Sequence, residues 1–342
     1  MIDQHDNWMT TALDEARRGW GMTSPNPMVG AVVVRDGVEV GRGYHHRAGT
    51  PHAEIHALTA ARDKARGADM FVTLEPCCTH GRTPPCTDAI RAAGIKRLFV
   101  GSLDPNPRHA GKGVAILREA GIEVNTGLLK SECDRLNEAF FHWITTGRAF
   151  VQLKMAMTLD GKIATKNGQS QWITGPEARA EVQRLRRWCD AIMVGAETAR
   201  RDNPSLTVRE PADWPRQPRP YVWTRQPALP ADLRLNTGEG RTVGLCAAQS
   251  REDWLAWLTT LGAANVTAVL VEGGGELAAN LLAAQVVSRV TFFIAPKILG
   301  GQDSRPVVGG ANPLSLAEAR PLANVDIQQV GADIMITGRL AD

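Results

Sequence analysis

The feature that most constrains the fold of this 342-residue chain is a histidine, His52, followed by a cysteine-rich segment, Glu75–Cys86. One histidine and two cysteines can bind a zinc ion, and three protein ligands leave the fourth tetrahedral position open, as in catalytic zinc sites. Because adjacent side chains diverge, we expect only one of Cys77 and Cys78 to bind the metal together with Cys86. The Pro-Cys context favours Cys77.

Glu54 follows His52 by two residues and is predicted to carry protons rather than to bind the metal. A His-x-Glu sequence followed by Pro-Cys and a second cysteine is typical of zinc-dependent nucleobase deaminases. In that chemistry the glutamate takes a proton from water, passes it to a ring nitrogen and then protonates the departing ammonia. The alternatives are a structural zinc site and buried cysteines without metal, but the joint occurrence of these motifs favours catalysis.

The spacing of the two predicted cysteine ligands departs from the general deaminase pattern, in which two residues separate them. Here eight residues, 78–85, lie between Cys77 and Cys86. This loop contains His80, Arg82 and Thr83, a set that could hold a substrate phosphate beside the zinc site. On these residues alone, a solvent-exposed loop without a ligand is an equally good interpretation.

Strand-like and helix-like segments alternate along the chain, which indicates α/β layers around a sheet. We place a boundary near residues 146–149 and predict two domains, 1–147 and 148–342. In the first domain we predict a hairpin, a helix that carries the His-x-Glu motif in its first turn, and a single helix before the boundary: Val29–Tyr44, Pro51–Lys64 and Cys133–Thr146.

A glycine turn is the most informative feature of the second domain. An apolar strand, Val269–Glu272, is followed by Gly273–Gly275 and by a predicted helix, Glu276–Ala284. A strand, a glycine turn and a helix N-terminus can together bind phosphate. The turn is not a G-x-G-x-x-G fingerprint, and a tight structural turn is the alternative. Further strands are predicted at Phe150–Met157, Ala191–Gly195, Pro220–Trp223, Thr242–Cys246 and Arg289–Ile294, and further helices at Pro176–Cys189 and Trp254–Leu261.

The overall balance of charge argues against a nucleic-acid partner, since 39 basic and 36 acidic residues give a net charge of only +3. The polar N-terminus does not resemble a secretory signal, and no apolar run is long enough for a membrane span. The six cysteines do not form a disulfide framework pattern, so we expect a protein of the reducing cytoplasm. Cys133, Cys189 and Cys246 are isolated and are predicted to be core residues.

Several motifs in the first domain resemble the deaminase half of the bifunctional riboflavin-biosynthesis enzyme family. They are PNPMVG at 25–30, GYH at 43–45, the His-Ala-Glu motif, EPCCTHGRTPPC at 75–86 and DPNP at 104–107. The long cysteine spacing matches this family. The resemblance implies a cytidine-deaminase-like three-layer α/β/α domain with His52, Cys77 and Cys86 as zinc ligands and Glu54 as the proton carrier. It also implies that the pyrimidine substrate contacts Asn26 and His45 and that its phosphate contacts Arg82.

The second domain resembles the reductase half of the same family, which has a fold similar to dihydrofolate reductase. The matching motifs are LKMAMTLDG at 153–161, SQWIT at 170–174, DNPSLTVR at 202–209, VEGG at 271–274 and APK at 295–297. By this resemblance, the residues that contact NADPH are Ala156, Trp172, Thr198, Asp202, Gly274, Gly275, Glu276, Leu277, Ala278, Ala279 and Asn280. Those that contact the substrate are Ser170, Arg186, Leu206, Arg209 and Glu272.

The resemblance implies two consecutive reactions that use zinc and NADPH as cofactors. The first is the hydrolytic deamination of 2,5-diamino-6-ribosylamino-4(3H)-pyrimidinone 5′-phosphate, and the second is the NADPH-dependent reduction of the ribosyl side chain to ribityl. Arg186 and Arg209 could grip the sugar phosphate, and Lys154 could act as an acid in the reduction or form a structural salt bridge. The alternative is a zinc deaminase whose C-terminal domain binds nucleotide without catalysis. We expect a homo-oligomer, most simply a dimer.

Overall fold

The chain divides into two compact units, Met1–Gly147 and Arg148–Asp342, in a computed structural model that describes residues 4–80, 84–107, 109–236 and 241–340. Each unit contains helices packed on its own β-sheet, so the α/β class predicted from the sequence is confirmed. Within the described ranges, no helix combines the length and the apolar character that a membrane crossing requires.

The first unit is built on a five-stranded sheet in the order β2-β1-β3-β4-β5. Its elements in chain order are α1 Gln4–Arg17, β1 Gly30–Arg35, β2 Val38–Tyr44, α2 Ala53–Ala61, β3 Asp69–Leu74, α3 Cys86–Ala93, β4 Arg97–Ser102, α4 Lys112–Glu119, β5 Glu123–Thr126, α5 Lys130–Leu136 and α6 Glu138–Thr146. Strand β1 runs antiparallel to β2 and β3, whereas β3, β4 and β5 are parallel.

The sheet of the first unit is covered on both faces, which gives the three-layer α/β/α arrangement that was predicted. One apolar cluster joins α2, α3 and α4 to residues of one face, such as Val33 and Val72. A second cluster joins α1 and α5 to the opposite face, through Val32 and Phe71. Because successive strand residues point to opposite faces, the parallel strands are apolar on both sides and read as nearly continuous hydrophobic runs.

Two glycines of β2 allow the helix α2 to lie directly against the sheet. A Cβ atom on Gly43 would come within 2.3 Å of the Cβ atom of His56 and 2.8 Å of the backbone nitrogen of Ala57, both in α2. A Cβ atom on Gly41 would come within 2.4 Å of the carbonyl oxygen of Ala57. The helix contributes the small residues Ala53, Ala57 and Ala61 to this contact, and all three are buried. The backbone of α2 is therefore held close to the sheet at the level of the His-x-Glu motif.

The prediction of a single helix over Cys133–Thr146 is wrong in one respect, because the structure divides this segment at Asn137 into α5 and α6. The side chain of Asn137 is buried and makes two hydrogen bonds with the backbone of Met28, both of 2.8 Å. The amide donates to the Met28 carbonyl oxygen and accepts from the Met28 N–H. This tertiary contact with the PNPMVG loop has no signature in local helical periodicity.

The second unit is built on an eight-stranded sheet in the order β10-β9-β8-β11-β6-β12-β15-β14. Its elements are β6 Phe150–Thr158, β7 Lys162–Ala164, α7 Pro176–Trp188, β8 Ala191–Gly195, α8 Ala196–Asp202, β9 Arg219–Trp223, β10 Gly244–Cys246, α9 Arg251–Ala263, β11 Ala268–Glu272, α10 Gly275–Ala283, β12 Arg289–Ala295, β13 Arg305–Pro306, β14 Leu322–Val330 and β15 Asp333–Leu340. The strands from β10 to β12 are parallel, and β15 and β14 extend the sheet in antiparallel fashion.

Strand β11 lies between β8 and β6 in the middle of the second sheet, and all five of its residues are buried. Glu272 and the glycine turn that follows it therefore stand at the carboxyl ends of the central parallel strands. That edge is where open α/β sheets usually bind their ligands. The terminal hairpin β14–β15 is not among the elements predicted from the sequence.

Candidate active sites

His52, Cys77 and Cys86 come together in the first unit as a group whose ligand atoms all lie within 4.8 Å of one another. The Nδ1 atom of His52 lies 3.2 Å from the sulfur of Cys86 and 3.5 Å from the sulfur of Cys77. His52 caps the start of α2, and Cys86 begins α3, so two helix N-termini deliver these ligands. Cys77 lies in the segment that follows β3.

This cluster fits a zinc ion with one open position. Tetrahedral zinc with bonds of about 2.0–2.3 Å places neighbouring ligand atoms roughly 3.3–3.8 Å apart, close to the separations seen here. The sulfur of Cys78 instead lies 3.7 Å from Nδ1 of His109, outside the group. The geometry thus brings Cys77 rather than Cys78 to the cluster, and three protein ligands are the number found in catalytic zinc sites.

A hydrogen bond joins the two cysteines of the cluster. The Cys86 thiol donates to Cys77, which lowers the pKa of Cys77 to about 4 and raises the pKa of Cys86. The backbone N–H of Cys86 also donates to the Cys77 sulfur over 3.3 Å. The hydrogen bond with Cys77 raises the pKa of His52 above its ordinary value. The site therefore stabilises the thiolate of Cys77, and thiolate is the metal-binding form of cysteine.

Glu54 lies beside this cluster in the first turn of α2, and only 3% of its surface is exposed. Burial raises the pKa of the Glu54 carboxyl, and its side chain forms a hydrogen bond with the Cys86 thiol. It is not one of the three clustered ligands. A buried carboxyl group next to a metal-binding group, but separate from it, can accept and return protons.

Asn26 and His45 form a hydrogen-bonded pair near the same cluster. The Nδ1 atom of His45 donates to the carbonyl oxygen of Pro51 over 3.2 Å, which leaves its Nε2 atom to accept from the Asn26 amide at 3.1 Å. Burial lowers the pKa of His45 to about 4. The His45 and His52 rings meet edge to face with centroids 5.3 Å apart. His45 is thus a neutral ring with a fixed tautomer beside the predicted zinc ligand.

Glu75 has a positioning role that the sequence analysis did not assign. Its buried carboxylate accepts hydrogen bonds from the backbone N–H groups of Asp104, Gly111 and Val114, at 3.2, 2.9 and 3.2 Å. These contacts tie the segment that carries Cys77 to the DPNP loop. The signal was present in the EPCC motif, but only the tertiary contacts reveal the function of its glutamate. Arg82 and Thr83, which were considered as phosphate contacts, lie outside the described residues.

The glycine turn of the second unit has the shape of an anion-binding cradle. Gly273 and Gly274 have φ values of +71° and +90°, which residues with a Cβ atom adopt only with strain. A Cβ atom on Gly275 would come within 2.7 Å of the carbonyl oxygen of Pro306. Helix α10 begins at this turn, and the first N–H groups of a helix have no partner within it. Thr198 lies next to the turn, 3.4 Å from the position of a Cβ atom on Gly274.

The predicted cofactor residues 274–280 do not all present their side chains to a ligand. Leu277 and Ala278 are buried in the main apolar cluster of the unit. The amide oxygen of Asn280 accepts a hydrogen bond of 2.6 Å from the indole of Trp254, which is fully buried. Contacts with NADPH from this helix would therefore come from the backbone of its first turn, where the N–H groups point outward from the helix end.

Glu272 and Arg186 form a buried, bidentate ion pair. The Arg186 Nε and Nη2 atoms donate to the two carboxylate oxygens of Glu272 over 2.7 and 2.8 Å. Burial alone would raise the pKa of Glu272, but the charge and hydrogen bonds of Arg186, together with the charges of Lys154 and Arg209, outweigh it, so the net shift is downward. Burial lowers the pKa of Lys154, which lies near this pair with its ammonium 5.8 Å from the centre of the Phe293 ring.

The other predicted reductase residues lie in β6, in α8 and in the segments that precede α7 and follow α8. Ser170 donates a hydrogen bond to the carboxylate of Asp202. Trp172 is 63% exposed, and its carbonyl oxygen accepts from the ammonium of Lys297 at 3.2 Å, as does the carbonyl of Ile173 at 2.8 Å. Lys297, which belongs to the APK motif, therefore anchors this segment. Ala156 is partly buried in β6, beside β12.

Comparison with known families gives two matches, one in each unit. Residues 2–102 match a family described as "Cytidine and deoxycytidylate deaminase zinc-binding region". Residues 149–336 match a family described as "RibD C-terminal domain". The first match includes the His-x-Glu motif and both clustered cysteines, and the second includes the glycine turn and the Arg186–Glu272 pair.

Individual proteins with similar sequences or structures align over nearly the whole chain. Two proteins named "Riboflavin biosynthesis protein RibD" are similar: that of Actinobacillus pleuropneumoniae is 42% identical over 96% of this chain and 94% of its own, and that of Escherichia coli (strain K12) is 40% identical over 97% and 98%. Among solved structures, Acinetobacter baumannii RibD in form 1 has a TM-score of 0.90 with 35% identity. A Thermotoga maritima "diaminohydroxyphosphoribosylaminopyrimidine deaminase/ 5-amino-6-(5-phosphoribosylamino)uracil reductase" has a TM-score of 0.87 with 35% identity. Each comparison with these two structures covers 99% of both chains.

Proposed function

The chain belongs to the RibD family of bifunctional riboflavin-biosynthesis proteins, and from this membership we propose how its two sites divide the work. The protein is a deaminase and a reductase, with a zinc-binding deaminase unit and an NADPH-dependent reductase unit. Its substrate is a phosphorylated pyrimidine. We assign to the first site the deamination of 2,5-diamino-6-ribosylamino-4(3H)-pyrimidinone 5′-phosphate, and to the second the reduction of the ribosyl chain of the product.

The observation that carries the first assignment is the buried carboxyl of Glu54 beside a three-ligand cluster. His52, Cys77 and Cys86 would hold zinc, which when bound supplies a Lewis acid that lowers the pKa of a water molecule. The Glu54 carboxylate accepts a proton from the water that attacks the amino-bearing ring carbon, and delivers it to a ring nitrogen. It then takes the remaining proton of the added hydroxyl group and passes it to the amino group, which departs as ammonia when its bond to the ring carbon breaks. Asn26, whose amide group is held by the neutral His45 ring, offers its remaining hydrogen-bonding capacity to orient the pyrimidine, and the His45 ring lies beside it.

In the second unit, the backbone of the Gly274–Glu276 turn would hold a phosphate group of NADPH, which supplies the hydride. Glu272 and Arg186 stand at the end of the central strand, where the sugar of the substrate would be oriented. Arg209 would bind the substrate phosphate, since a guanidinium can present two parallel donors to phosphate oxygens. Lys154, with its pKa lowered by burial, is suited to deliver a proton near the opened ribose.

A chelation experiment on the full-length protein tests this division. We expect o-phenanthroline to lower ammonia release from the diaminopyrimidine phosphate by at least about 100-fold, because one site depends on the metal. NADPH oxidation at 340 nm with the deaminated product should change less than about twofold, and added zinc should restore ammonia release. Absence of NADPH oxidation by the untreated, folded protein would instead support a deaminase with a non-catalytic second domain. Ammonia release from an oligonucleotide but not from the free pyrimidine would contradict the small-molecule assignment.

The edge of the second sheet supports a homodimer. Strand β14 is the terminal strand, and its Ile327 lies opposite Ile336 of β15 while Gln329 lies opposite Ile334. Ile327, Ile334 and Ile336 therefore share one face of the sheet. Ile327 is 66% exposed and Ile334 is 43% exposed. An exposed apolar patch next to an unpaired strand edge favours protein association, and a second copy of this chain presents the same patch in a self-complementary way.

Replacing Ile327 with glutamate should convert the dimer into a monomer, because each interface would then bury two uncompensated carboxylates. Sedimentation velocity at micromolar concentration would measure the change in mass. Val38→Glu is the matched control, since Val38 is also highly exposed, at 62%, but lies in the first unit. If the wild-type protein sediments as a monomer, or Ile327→Glu remains dimeric, this surface is not the interface.

We place the protein in the cytoplasm, where its thiols would remain reduced.

A further inference from the structure

Arg241 holds the backbone of the loop 205–209, which contains the predicted substrate residues Leu206 and Arg209. Its Nη1 atom donates to the carbonyl oxygen of Ser205 over 3.1 Å. Its Nη2 atom donates to the carbonyl oxygens of Leu206 and Pro218, over 2.9 and 2.8 Å. One guanidinium thus fixes three carbonyl groups, two of which belong to consecutive residues. We call residues 205–209 the DNP loop, after the motif that it follows.

The backbone of the DNP loop is also held by other side chains at each following residue. The Thr207 carbonyl accepts from Nη1 of Arg186 at 3.0 Å. The amide of Gln217 accepts from the N–H of Val208 and donates to its carbonyl, over 2.8 and 3.1 Å. The N–H of Arg209 donates to the Gln183 amide oxygen over 2.8 Å. Five successive residues are therefore fixed by contacts from outside the loop.

Leu206 explains why the loop requires such support. It has a φ value of +48°, a left-handed conformation that is unfavourable for residues with a Cβ atom, and only 1% of its surface is exposed. A strained backbone of this kind persists only where surrounding contacts over-determine it, and such places are concentrated at ligand-binding sites. The two hydrogen bonds that Arg241 makes to Ser205 and Leu206 flank the strained peptide.

A direct chain of contacts leads from Arg241 to Arg209, the residue to which we assign the substrate phosphate. Arg241 holds the Ser205 carbonyl, and the Ser205 hydroxyl accepts from Nη1 of Arg209 at 3.2 Å. The same hydroxyl lies 2.9 Å from the hydroxyl of Thr207. Displacement of the Ser205 backbone would move the group against which the Arg209 guanidinium rests.

The charges around this loop favour an anionic ligand. Within the described part of the chain, no carboxylate lies within ion-pair distance of Arg209 or Arg241, whereas Arg186 is neutralised by Glu272. Burial and the charge of Arg186 lower the pKa of both Arg209 and Arg241, so the Arg186 guanidinium is close enough to repel each of the other two. The Nε atom of Arg241 is buried and has no hydrogen-bond partner among the described residues. A phosphate dianion at Arg209 would offset this repulsion.

We propose that Arg241 is a positioning residue of the reductase site, which holds the DNP loop so that Arg209 meets the phosphate of the pyrimidine substrate. The proposal rests on the proposed function, because that function assigns the phosphate to Arg209. Arg241 itself reaches backbone carbonyls and has no direct role in the reduction. Its contribution should therefore appear in substrate affinity and depend on both Arg209 and the phosphate.

Steady-state kinetics of Arg241→Met in the full-length protein would test this positioning role, which we call the relay from Arg241 to Arg209. We expect KM for the deaminated pyrimidine phosphate to rise at least about tenfold, because three carbonyl groups lose their hydrogen bonds to a charged donor. The kcat value and the KM for NADPH should change less than about threefold. With the substrate dephosphorylated by phosphatase, kcat/KM should be the same for Arg241→Met and wild type within about twofold. In an Arg209→Met background, adding Arg241→Met should raise KM by less than about twofold.

Arg241→Lys and Arg320→Met serve as companions to the test variant. Lysine keeps the charge, but its ammonium group cannot reproduce the planar guanidinium that donates to three carbonyls, so Arg241→Lys should also raise KM, by at least about fivefold. If Arg241→Met fails to bind NADPH, Arg241→Lys carries the test instead. Arg320 is exposed, and Arg320→Met should match wild type.

The relay would be overturned if Arg241→Met lost the same factor in kcat/KM with the phosphorylated and the dephosphorylated substrate, because equal losses indicate a general structural role. Additive effects of Arg241→Met and Arg209→Met would also overturn it. If Arg209→Met alone leaves KM unchanged, the phosphate assignment of the proposed function fails, and the relay falls with it. The single Arg209 variant thus distinguishes a failure of the assignment from a failure of the inference.

Discussion

Glu54→Gln should lower the kcat of deamination by about 10²–10⁴-fold, the range lost when a positioned acid–base group is removed. Glutamine fills nearly the same volume in a site where Glu54 is 3% exposed, but it can neither accept nor return a proton at neutral pH. Since Glu54 is not among the clustered ligands, zinc content should remain at one ion per chain. NADPH oxidation by the second unit should be unchanged. Ammonia release, metal analysis and the 340 nm assay on one preparation would measure all three quantities.

Glu119→Gln provides a control for the removal of a carboxylate from the same unit, because Glu119 is exposed. It should deaminate at the wild-type rate. Glu54→Ala should lose deamination as Glu54→Gln does, again with zinc retained. Deamination within tenfold of wild type by Glu54→Gln would refute the assigned proton transfer, whereas loss of zinc would mean that Glu54 supports the metal site itself.

Glu272→Ala should destabilise the second unit by about 3–5 kcal/mol and abolish reduction. Arg186 and Glu272 are only 9% and 11% exposed, so the variant leaves a buried guanidinium without its counter-charge. Breaking a buried pair by removing one partner typically has a cost of that size. Urea unfolding, followed by the fluorescence of the tryptophans in this unit, would report the change in free energy of unfolding. Asp303→Ala, which removes an exposed pair with Lys166, should change it by less than about 1 kcal/mol.

The double variant Arg186→Met/Glu272→Leu separates stability from function at this pair. Replacing both partners with apolar residues of similar size is often neutral or stabilising, so the double variant should regain most of the lost stability. It should still fail to oxidise NADPH with the pyrimidine substrate, because it lacks the groups that orient the sugar. A stable double variant with wild-type turnover would show that the pair is purely structural.

The zinc site could be predicted from the sequence because its chemistry is concentrated in short motifs. His52, Glu54 and Cys86 lie at the starts of helices, and Cys77 follows the apolar strand β3, so the local sequence pattern located the elements that carry them to within a few residues. The preference for Cys77 over Cys78 needed only the Pro-Cys context, and the structure directs Cys78 toward His109 instead. Local sequence thus carried both the ligand types and the elements that hold them.

The contacts that hold the second site could not be predicted in the same way, because they connect distant parts of the chain. Arg241 reaches carbonyls 35 and 36 residues earlier, and nothing in its neighbours indicates that it is a clamp. The break at Asn137 depends on a hydrogen bond to a residue 109 positions away. Leu277 and Ala278 belong to the run 274–280 that the resemblance implies for NADPH, and the burial of their side chains is a tertiary feature that this run does not reveal.

The glycines of β2 limit how the deaminase site can be altered by protein engineering. Because α2 touches the backbone of Gly41 and Gly43, the helix has no intervening side chain that could be shortened or lengthened to shift it. Substitutions intended to enlarge the pocket cannot move His52 and Glu54 toward the sheet, because the contact between α2 and β2 has no larger side chain to replace with a smaller one. Changes in substrate preference must instead come from the surrounding loops, while His52 and Glu54 keep a fixed separation from the sheet.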